Sequence, residues 1–292
     1  MRVLHISANA NDPRHRRRDL ALLLQGVDMG LVLPDRYGHD WAVAPVEPEL
    51  PHWRSPLRLR QSIPFHAWSQ VALTRAIDDF KPDLVDVHEE PYFIGGIQAT
   101  LAARRIPVVM YAAQTREKFL PPPFGYLHSR VLRRVRAFYP CCLEAADLLR
   151  RRGFQGPLEV VPLGVEEELF AVQPTGDRIG FIGHLVVEKG VDQLMGYGSR
   201  LLCIGAGPLE LDLRAAGAEV RVARSTAEIA AALAQMAVLV APSITTPRTR
   251  EQFGRALAEA MAAGVPVVAY DTGAFPEVVG DAGIIVEEGD RA

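Results

Sequence analysis

The sequence predicts an α/β protein built from two doubly wound domains in series. Short apolar runs that read as buried strands alternate with longer helix-like segments almost from end to end. Strand, helix, strand in this order is the pattern of a parallel sheet with helices on its faces. The pattern pauses at a polar, turn-rich stretch, LGVEEELFAVQPTGD (163–177), and then restarts with a new strand. That pause divides the chain into 1–170 and 171–292. Open sheets of this type bind ligands at the carboxyl ends of their strands, so two of them imply a ligand cleft between the domains.

The elements follow in order. RVLHIS (2–7) reads as the first buried strand, RRRDLALLLQ (16–25) as a helix and MGLVLP (29–34) as the second strand. A Pro- and Trp-rich loop fills 41–64. FHAWSQVALTRAIDDF (65–80) has the apolar spacing of an amphipathic helix, and Lys81-Pro82 ends it. LVDVH (84–88), a helix over 94–105 and PVVMY (107–111) come next, then the helix-breaking LPPPFGY (120–126). Basic helices near 127–137 and 142–152 precede an apolar run, LEVVPLG (158–164). The second series holds RIGFIG (178–183), a short helical region at 190–200, LLCIG (201–205), a helix over 208–217 and EVRVA (219–223). It continues with a helix over 226–236, AVLVA (237–241), a helix from about 253 to 263, PVVAY (266–270) and GIIVE (283–287). Ser225 with Glu228 forms a capping box. Gly264 followed by Pro266 is a helix stop.

Bulk properties narrow the function. The chain has 292 residues, 49% hydrophobic and 23% charged, with a net charge of −3. This is soluble globular composition and does not suit a dedicated nucleic-acid binder. The three cysteines, Cys141, Cys142 and Cys203, include no CxxC pair, so neither a disulfide framework nor a metal site is expected. No signal-peptide core or membrane-length apolar run is present, and the expectation is a cytoplasmic protein. Arginines cluster at 14–18, 133–136 and 150–152. They read either as solvated helix faces or as a peripheral contact with an anionic membrane, at its inner face.

The segment REQFGRALAEAMAAGVPVVAY (250–270) carries the chemistry. It places Glu251 in a loop before a helix and Glu259 about one and a half turns inside it. A helix start offers unpaired amides and the positive end of the macrodipole to an anion. Gly254 lets a ligand approach the backbone, and a carboxylate suits a vicinal diol because each oxygen can accept from one hydroxyl.

The stretch 243–290 closely resembles the donor-binding half of family 4 glycosyltransferases, retaining enzymes of the GT-B fold. Glu251, Phe253, Gly254, Glu259, Gly264 and Pro266 fall on that family's Glu-x-Phe-Gly, Glu-Ala-Met-Ala-x-Gly-x-Pro-Val-Val pattern. FIGHLVVEKGVD (181–192) and IGAGPLE (204–210) resemble its Gly-Arg-Leu…Glu-Lys-Gly signature and its second glycine loop. DLVDVHEEPY (83–92), VVMYAAQTREKFLPPPF (108–124) and EVVPLGVEEELF (159–170) resemble a branch that builds polysaccharides and related glycoconjugates.

The resemblance implies a hexosyltransferase that takes its sugar from a nucleoside-diphosphate sugar, with no cofactor and no metal. The acceptor would be a glycan, a lipid-linked saccharide or a small molecule. It implies that Glu259 holds the ribose, that Glu251 meets the donor sugar beside the Phe253 and Gly254 amides, and that Lys189 faces the diphosphate. Gly183 would give the phosphate room, and Gly205 and Gly207 would shape the loop over the nucleotide. His184 stands where the family usually has Arg. Ala112-Ala113-Gln114 stands where many members place a His, making Gln114 the candidate polar group nearest the reacting centre. His88 is the candidate on the acceptor side. The glycine-rich loop usual after the first strand is replaced by Asn9, Asn11, Asp12 and an Arg run, and the chain ends before the family's last pair of helices. These departures motivate an alternative, a non-catalytic or impaired nucleotide-sugar-binding protein of the same fold. IGAGPLE alone also suits an oxidoreductase, but its place in mid-domain argues against one.

Overall fold

The computed structural model describes residues 1–36, 45–59, 64–247 and 249–290. Residues 41–44 and 60–63 of the Pro- and Trp-rich stretch lie outside them, as do Arg248, Arg291 and Ala292. The chain divides into two compact units, Met1–Cys141 with Ala145–Val161, and Cys142–Glu144 with Pro162–Ala292.

Unit 1 begins with β1 (Arg2–Ile6), a single-turn 3-10 helix (Ala8–Asn11), α1 (Arg17–Leu24), β2 (Asp28–Pro34) and β3 (His52–Ser55). It continues through α2 (Gln70–Phe80), β4 (Leu84–Val87), α3 (Ile94–Ala102), β5 (Val108–Ala112), α4 (Phe124–Arg134), β6 (Ala137–Pro140) and α5 (Leu143–Arg151). The six strands form one parallel sheet in the order β3-β2-β1-β4-β5-β6. Leu4, Ile6, Val85, Val87, Val108 and Met110 fill the core, with Leu73, Phe80 and Val131 from the helices. Ser69 caps α2 by accepting from the Ala72 N–H, and Lys81 ends it in the left-handed region at φ 51°.

Three expectations in this unit need correction. The strand His52–Ser55 lies in the stretch read as loop. It is a short edge strand of polar composition, so burial marks it only weakly. The basic helix near 127–137 ends at Arg134, and Ala137–Pro140 is the edge strand β6. LEVVPLG, apolar enough for a strand, makes only the isolated bridge Phe138↔Leu158.

Unit 2 holds β7 (Arg178–Ile182), a 3-10 turn (Val187–Lys189), a 3-10 segment (Val191–Arg200), β8 (Leu201–Ile204), α6 (Glu210–Ala215) and β9 (Glu219–Arg221). Next come α7 (Thr226–Leu233), β10 (Met236–Ala241), α8 (Arg255–Ala262), β11 (Val267–Tyr270), α9 (Phe275–Val279) and β12 (Ile284–Val286). The second parallel sheet runs β12-β11-β10-β7-β8-β9. Phe170 is buried in this unit's core, with Leu202, Leu233, Leu239, Leu257 and Val267, which ties the connecting segment to unit 2. Ser225 Oγ accepts from the Glu228 N–H, while the Glu228 carboxylate reaches back to the Arg224 N–H. The capping box is present, with its return arm one residue upstream. Gly264 takes φ 71° after α8. One face of this sheet carries a groove of about 320 Å³, lined by Val238, Val240, Val268 and Tyr270 among others.

Candidate functional site

The strand order sets where each unit can bind a ligand. In the second sheet the chain runs from β7 outward to β9 on one side, then returns to β10 and runs outward to β12 on the other. The order reverses between β7 and β10, the position at which open sheets of this type bind ligands. The loops leaving the carboxyl ends of these two strands are 183–189 and 242–254, which carry most of the donor-side residues expected from the sequence.

Backbone packing shapes the first loop. The Gly183 N–H donates to the Ile204 carbonyl (3.0 Å), and the Leu185 N–H to the Ala206 carbonyl (3.0 Å). The ladder between β7 and β8 therefore continues into both loops. A Cβ on Gly205 would overlap the Gly183 carbonyl oxygen, and one on Gly207 would crowd the Leu185 carbonyl. These two glycines are required by the approach of one loop to the other. A Cβ on Gly183 would meet only the Phe181 ring, at an ordinary contact distance of 3.4 Å, and His184 beside it is exposed.

The second loop meets the turn that holds Lys189. Gly190 closes that turn at φ 67°, where a Cβ would strike the Pro242 carbonyl. The Ile244 N–H donates to the Glu188 carbonyl at 2.9 Å. So anchored, Lys189 Nζ forms an ion pair with Glu251 Oε1, and Ser243 Oγ donates to the same oxygen at 2.7 Å. The Glu251 side chain is 12% exposed and that of Lys189 38%. Both keep some solvent exposure while their charges neutralise each other. Phe253 is buried and anchors the loop; Gly254 (φ 93°) precedes α8, which has no side-chain cap. Its first amides are thus left for water or an anion. Glu259 stands half-buried along α8.

Unit 1 has the same kind of reversal, between β1 and β4. His88 follows β4, its N–H donating to the Ile6 carbonyl (2.9 Å) and its ring lying 4.0 Å from that of Tyr111. Burial, with the positive surroundings of His5, Arg18 and His15, holds its pKa well below the usual histidine value. The ring is neutral near pH 7. Gln114 follows β5, and its amide is engaged at both ends: Nε2 donates to Tyr92 Oη (2.8 Å), and Oε1 accepts from the Arg116 N–H (3.2 Å).

The structure also brings together groups that sequence reasoning missed. Ser243 has no signature beyond its place after β10. Glu90 lines a small cavity of about 20 Å³ with Tyr92, Gln114, Lys118, His128 and Arg152, enough for one water molecule. Below α1, Arg18 bonds Asp86 (2.7 Å), Asp19 (3.2 Å) and Tyr139 (2.8 Å), and Asp19 lies 2.7 Å from His5 Nδ1. Arg16 is fully buried and paired with Glu47. The first arginine cluster is therefore partly internal, which neither a solvated face nor a membrane contact would require. No helix among the described residues is long and apolar enough to cross a membrane.

Two parallel-sheet units, one with an uncapped helix start and a Lys–Glu pair at its strand reversal, place the chain among doubly wound α/β proteins. Comparison with known proteins specifies the class. The family model described as Glycosyltransferase Family 4 matches residues 21–169, and that of Glycosyl transferases group 1 matches residues 176–292. The chain belongs to glycosyltransferase family 4. It is 27% identical over 263 residues to the 2-deoxystreptamine glucosyltransferase of Streptomyces kanamyceticus, covering 73% of this chain and 67% of that one. Among solved structures it resembles the sucrose-phosphate synthase of Thermosynechococcus elongatus (TM-score 0.74, 16% identity, 99% of this chain and 86% of that one). It also resembles HepE of Anabaena in complex with UDP (TM-score 0.73, 16% identity, the same coverage). These likenesses establish the GT-B type of fold, and the family establishes a glycosyltransferase using nucleotide-sugar donors.

Proposed function

We propose that this glycosyltransferase retains the configuration of the transferred sugar, works without a metal ion and delivers the sugar to a hydroxyl of a glycan, lipid-linked saccharide or small molecule. The observation that carries the reading is the convergence of Lys189, Glu251 and Ser243 at the strand reversal of unit 2, beside the uncapped start of α8. When donor enters, the Lys189 ammonium turns to the diphosphate and offsets the charge that grows on it as the glycosidic bond breaks. Glu251, released from Lys189, accepts hydrogen bonds from sugar hydroxyls, and Glu259 accepts from the ribose. Gly183 leaves room for the phosphates, with the loop carrying Gly205 and Gly207 packed beside it; the exposed His184 contributes less to them than an arginine would. The bond from the anomeric carbon to the phosphate oxygen breaks, the bond to the acceptor oxygen forms on the same face, and the acceptor proton passes to the departing phosphate oxygen. On the acceptor side, the neutral His88 and the braced Gln114 stand at the strand ends of unit 1. Uridine is the first base to test, because a structural relative was solved with UDP.

The test is transfer from a panel of nucleotide sugars with and without a chelator, the anomeric configuration of product being read by NMR. Lys189→Ala, Glu251→Ala and Glu259→Ala each lower transfer by about 10²-fold or more. Unchanged activity in these variants, or an inverted product, refutes the assignment. Binding of a nucleoside diphosphate with no turnover of any donor favours the binding-protein alternative.

A further inference from the structure

The carboxyl group of Glu90 stands where a neutral amide would serve the fold better. It follows β4, and its Oε1 accepts from the Ala113 N–H at 2.8 Å, one residue past β5. Two residues on, Tyr92 Oη accepts from Gln114 Nε2 at 2.8 Å. One turn therefore grips the neighbouring loop twice, Glu90 by the Ala113 backbone and Tyr92 by the Gln114 side chain. Gln114 Oε1 accepts from the Arg116 N–H, so both ends of its amide are held. The residue so held is the candidate polar group nearest the reacting centre.

The groups around the carboxyl decide what its charge can do. Its own turn supplies Tyr92 and Glu89, the latter bonded to the Ala8 N–H and to His66. Strand β5 and the loop after it supply Tyr111, Arg116 and Lys118, α4 supplies His128, and Arg152 follows α5. Two of the cations are bonded elsewhere: Lys118 Nζ donates to Tyr92 Oη at 3.3 Å, and Arg152 bonds the Lys118 carbonyl and Glu117. Burial lowers Lys118, pushes His128 down to about 4 and raises the hydroxyls of Tyr92 and Tyr111. Neither His128 nor the two tyrosines change charge between pH 5.5 and 8.5. Glu90 does, because burial pushes its pKa up to about 7.

Glutamine would accept from the Ala113 amide at no cost of ionisation. A group that weakens the fold when charged, set against the loop of a candidate functional residue, points to use of that charge. An ionised acceptor makes a hydrogen bond about twice as strong as a neutral one, so loss of the proton tightens the hold on Ala113. The cavity beside Glu90, about 20 Å³, admits one water and no sugar. Glu90 therefore acts through Gln114.

We infer that Glu90 is a positioning residue for transfer, whose ionised carboxylate clamps the loop after β5 and sets Gln114 for the reaction. The inference rests on the transferase reading above and names the group that regulates its acceptor-side residue.

The experiment measures kcat and donor KM from pH 5.5 to 8.5 for the wild-type chain, Glu90→Gln and Tyr92→Phe. The Ala113 and Gln114 backbone amides are followed by NMR over the same range. Glutamine mimics the protonated acid without its ionisation cost, so misfolding does not account for a loss. Wild-type kcat rises about threefold or more with a midpoint near 7, and both amides shift with that midpoint. Glu90→Gln keeps the acidic-limit kcat throughout, about threefold or more below wild type at pH 8.5, with donor KM and UDP binding unchanged. Tyr92→Phe lowers kcat at every pH and retains the rise. A carboxyl with only a structural role would give the opposite, a Glu90→Gln chain as active as wild type. That result, a rise that persists in Glu90→Gln, or amides that do not titrate would each overturn the inference. A wild-type chain that turns over no donor sinks the transferase reading instead, while the amide shifts still decide whether the clamp exists.

Discussion

Replacing Glu90 with glutamine should stabilise unit 1 at alkaline pH and remove a pH dependence that the wild-type chain carries. The Glu90 carboxyl is enclosed at the carboxyl ends of β4 and β5, where Oε1 accepts from the Ala113 N–H at 2.8 Å. Burial pushes its pKa up to about 7; the Ala113 and Gln114 amides and the Lys118 ammonium pull it back, and Glu89 adds to the rise. In the unfolded chain the group titrates near 4.5. Below that pH both states hold the proton and Glu90 carries no penalty. As pH climbs from about 4.5 to about 7 the unfolded state ionises first, so folding stability falls, and above 7 the loss is complete. At ~1.4 kcal/mol per pH unit, this interval corresponds to about 3 kcal/mol. Glutamine keeps a carbonyl acceptor for the Ala113 amide and cannot ionise. Trp53 and Trp68 belong to unit 1 and the sequence of unit 2 contains no tryptophan, so urea unfolding followed by tryptophan fluorescence reports unit 1. Glu90→Gln should exceed wild type by about 2–3 kcal/mol at pH 8 and by little at pH 5. Equal stability at pH 8, or a difference that does not change with pH, would refute the reasoning.

Other consequences are testable in the same way. Gly205→Ala, whose new methyl would overlap the Gly183 carbonyl, should cost about 2 kcal/mol or more, and hydrogen exchange at the β7 and β8 amides should speed up accordingly. Arg18→Met strands the Asp86 carboxylate, 9% exposed, and should lower the stability of unit 1 by about 2 kcal/mol once the partial exposure of Arg18 is allowed for. Arg18→Met with Asp86→Leu should recover part of that loss, and no recovery would count against the ion network. His88, held well below the ordinary histidine range by burial, should show no ring titration by NMR between pH 5.5 and 8. A titration midpoint near 6.5 would contradict its buried, neutral state.

Much of the fold was legible because parallel strands covered on both faces read as unbroken apolar runs. Arg178–Ile182, Leu201–Ile204 and Met236–Ala241 sit within a residue or so of the expected bounds at most ends. The failures were the two edge strands of the first sheet. His52–Ser55 and Ala137–Pro140 are four residues each, and HWRS carries no apolar run at all. Conversely, LEVVPLG has strand composition but finds one bridging partner. Edge pairing depends on what lies alongside in space, and local composition does not record that.

The candidate site divides along the same line. By itself the sequence determined the residue types and their spacing: Glu251 before a helix and Glu259 within it, Lys189 in a turn, and glycines where loops cross. Those are local features, set by helix geometry, capping and turn chemistry over a few positions. The tertiary structure alone decided the pairings. It set Lys189 against Glu251 across 62 residues, buried Arg16 and Arg18 among carboxylates, and enclosed Glu90 against the Ala113 amide. Ion pairing, desolvation and hydrogen-bond satisfaction depend on distances between residues far apart in the chain, and only the packed sheets set those distances.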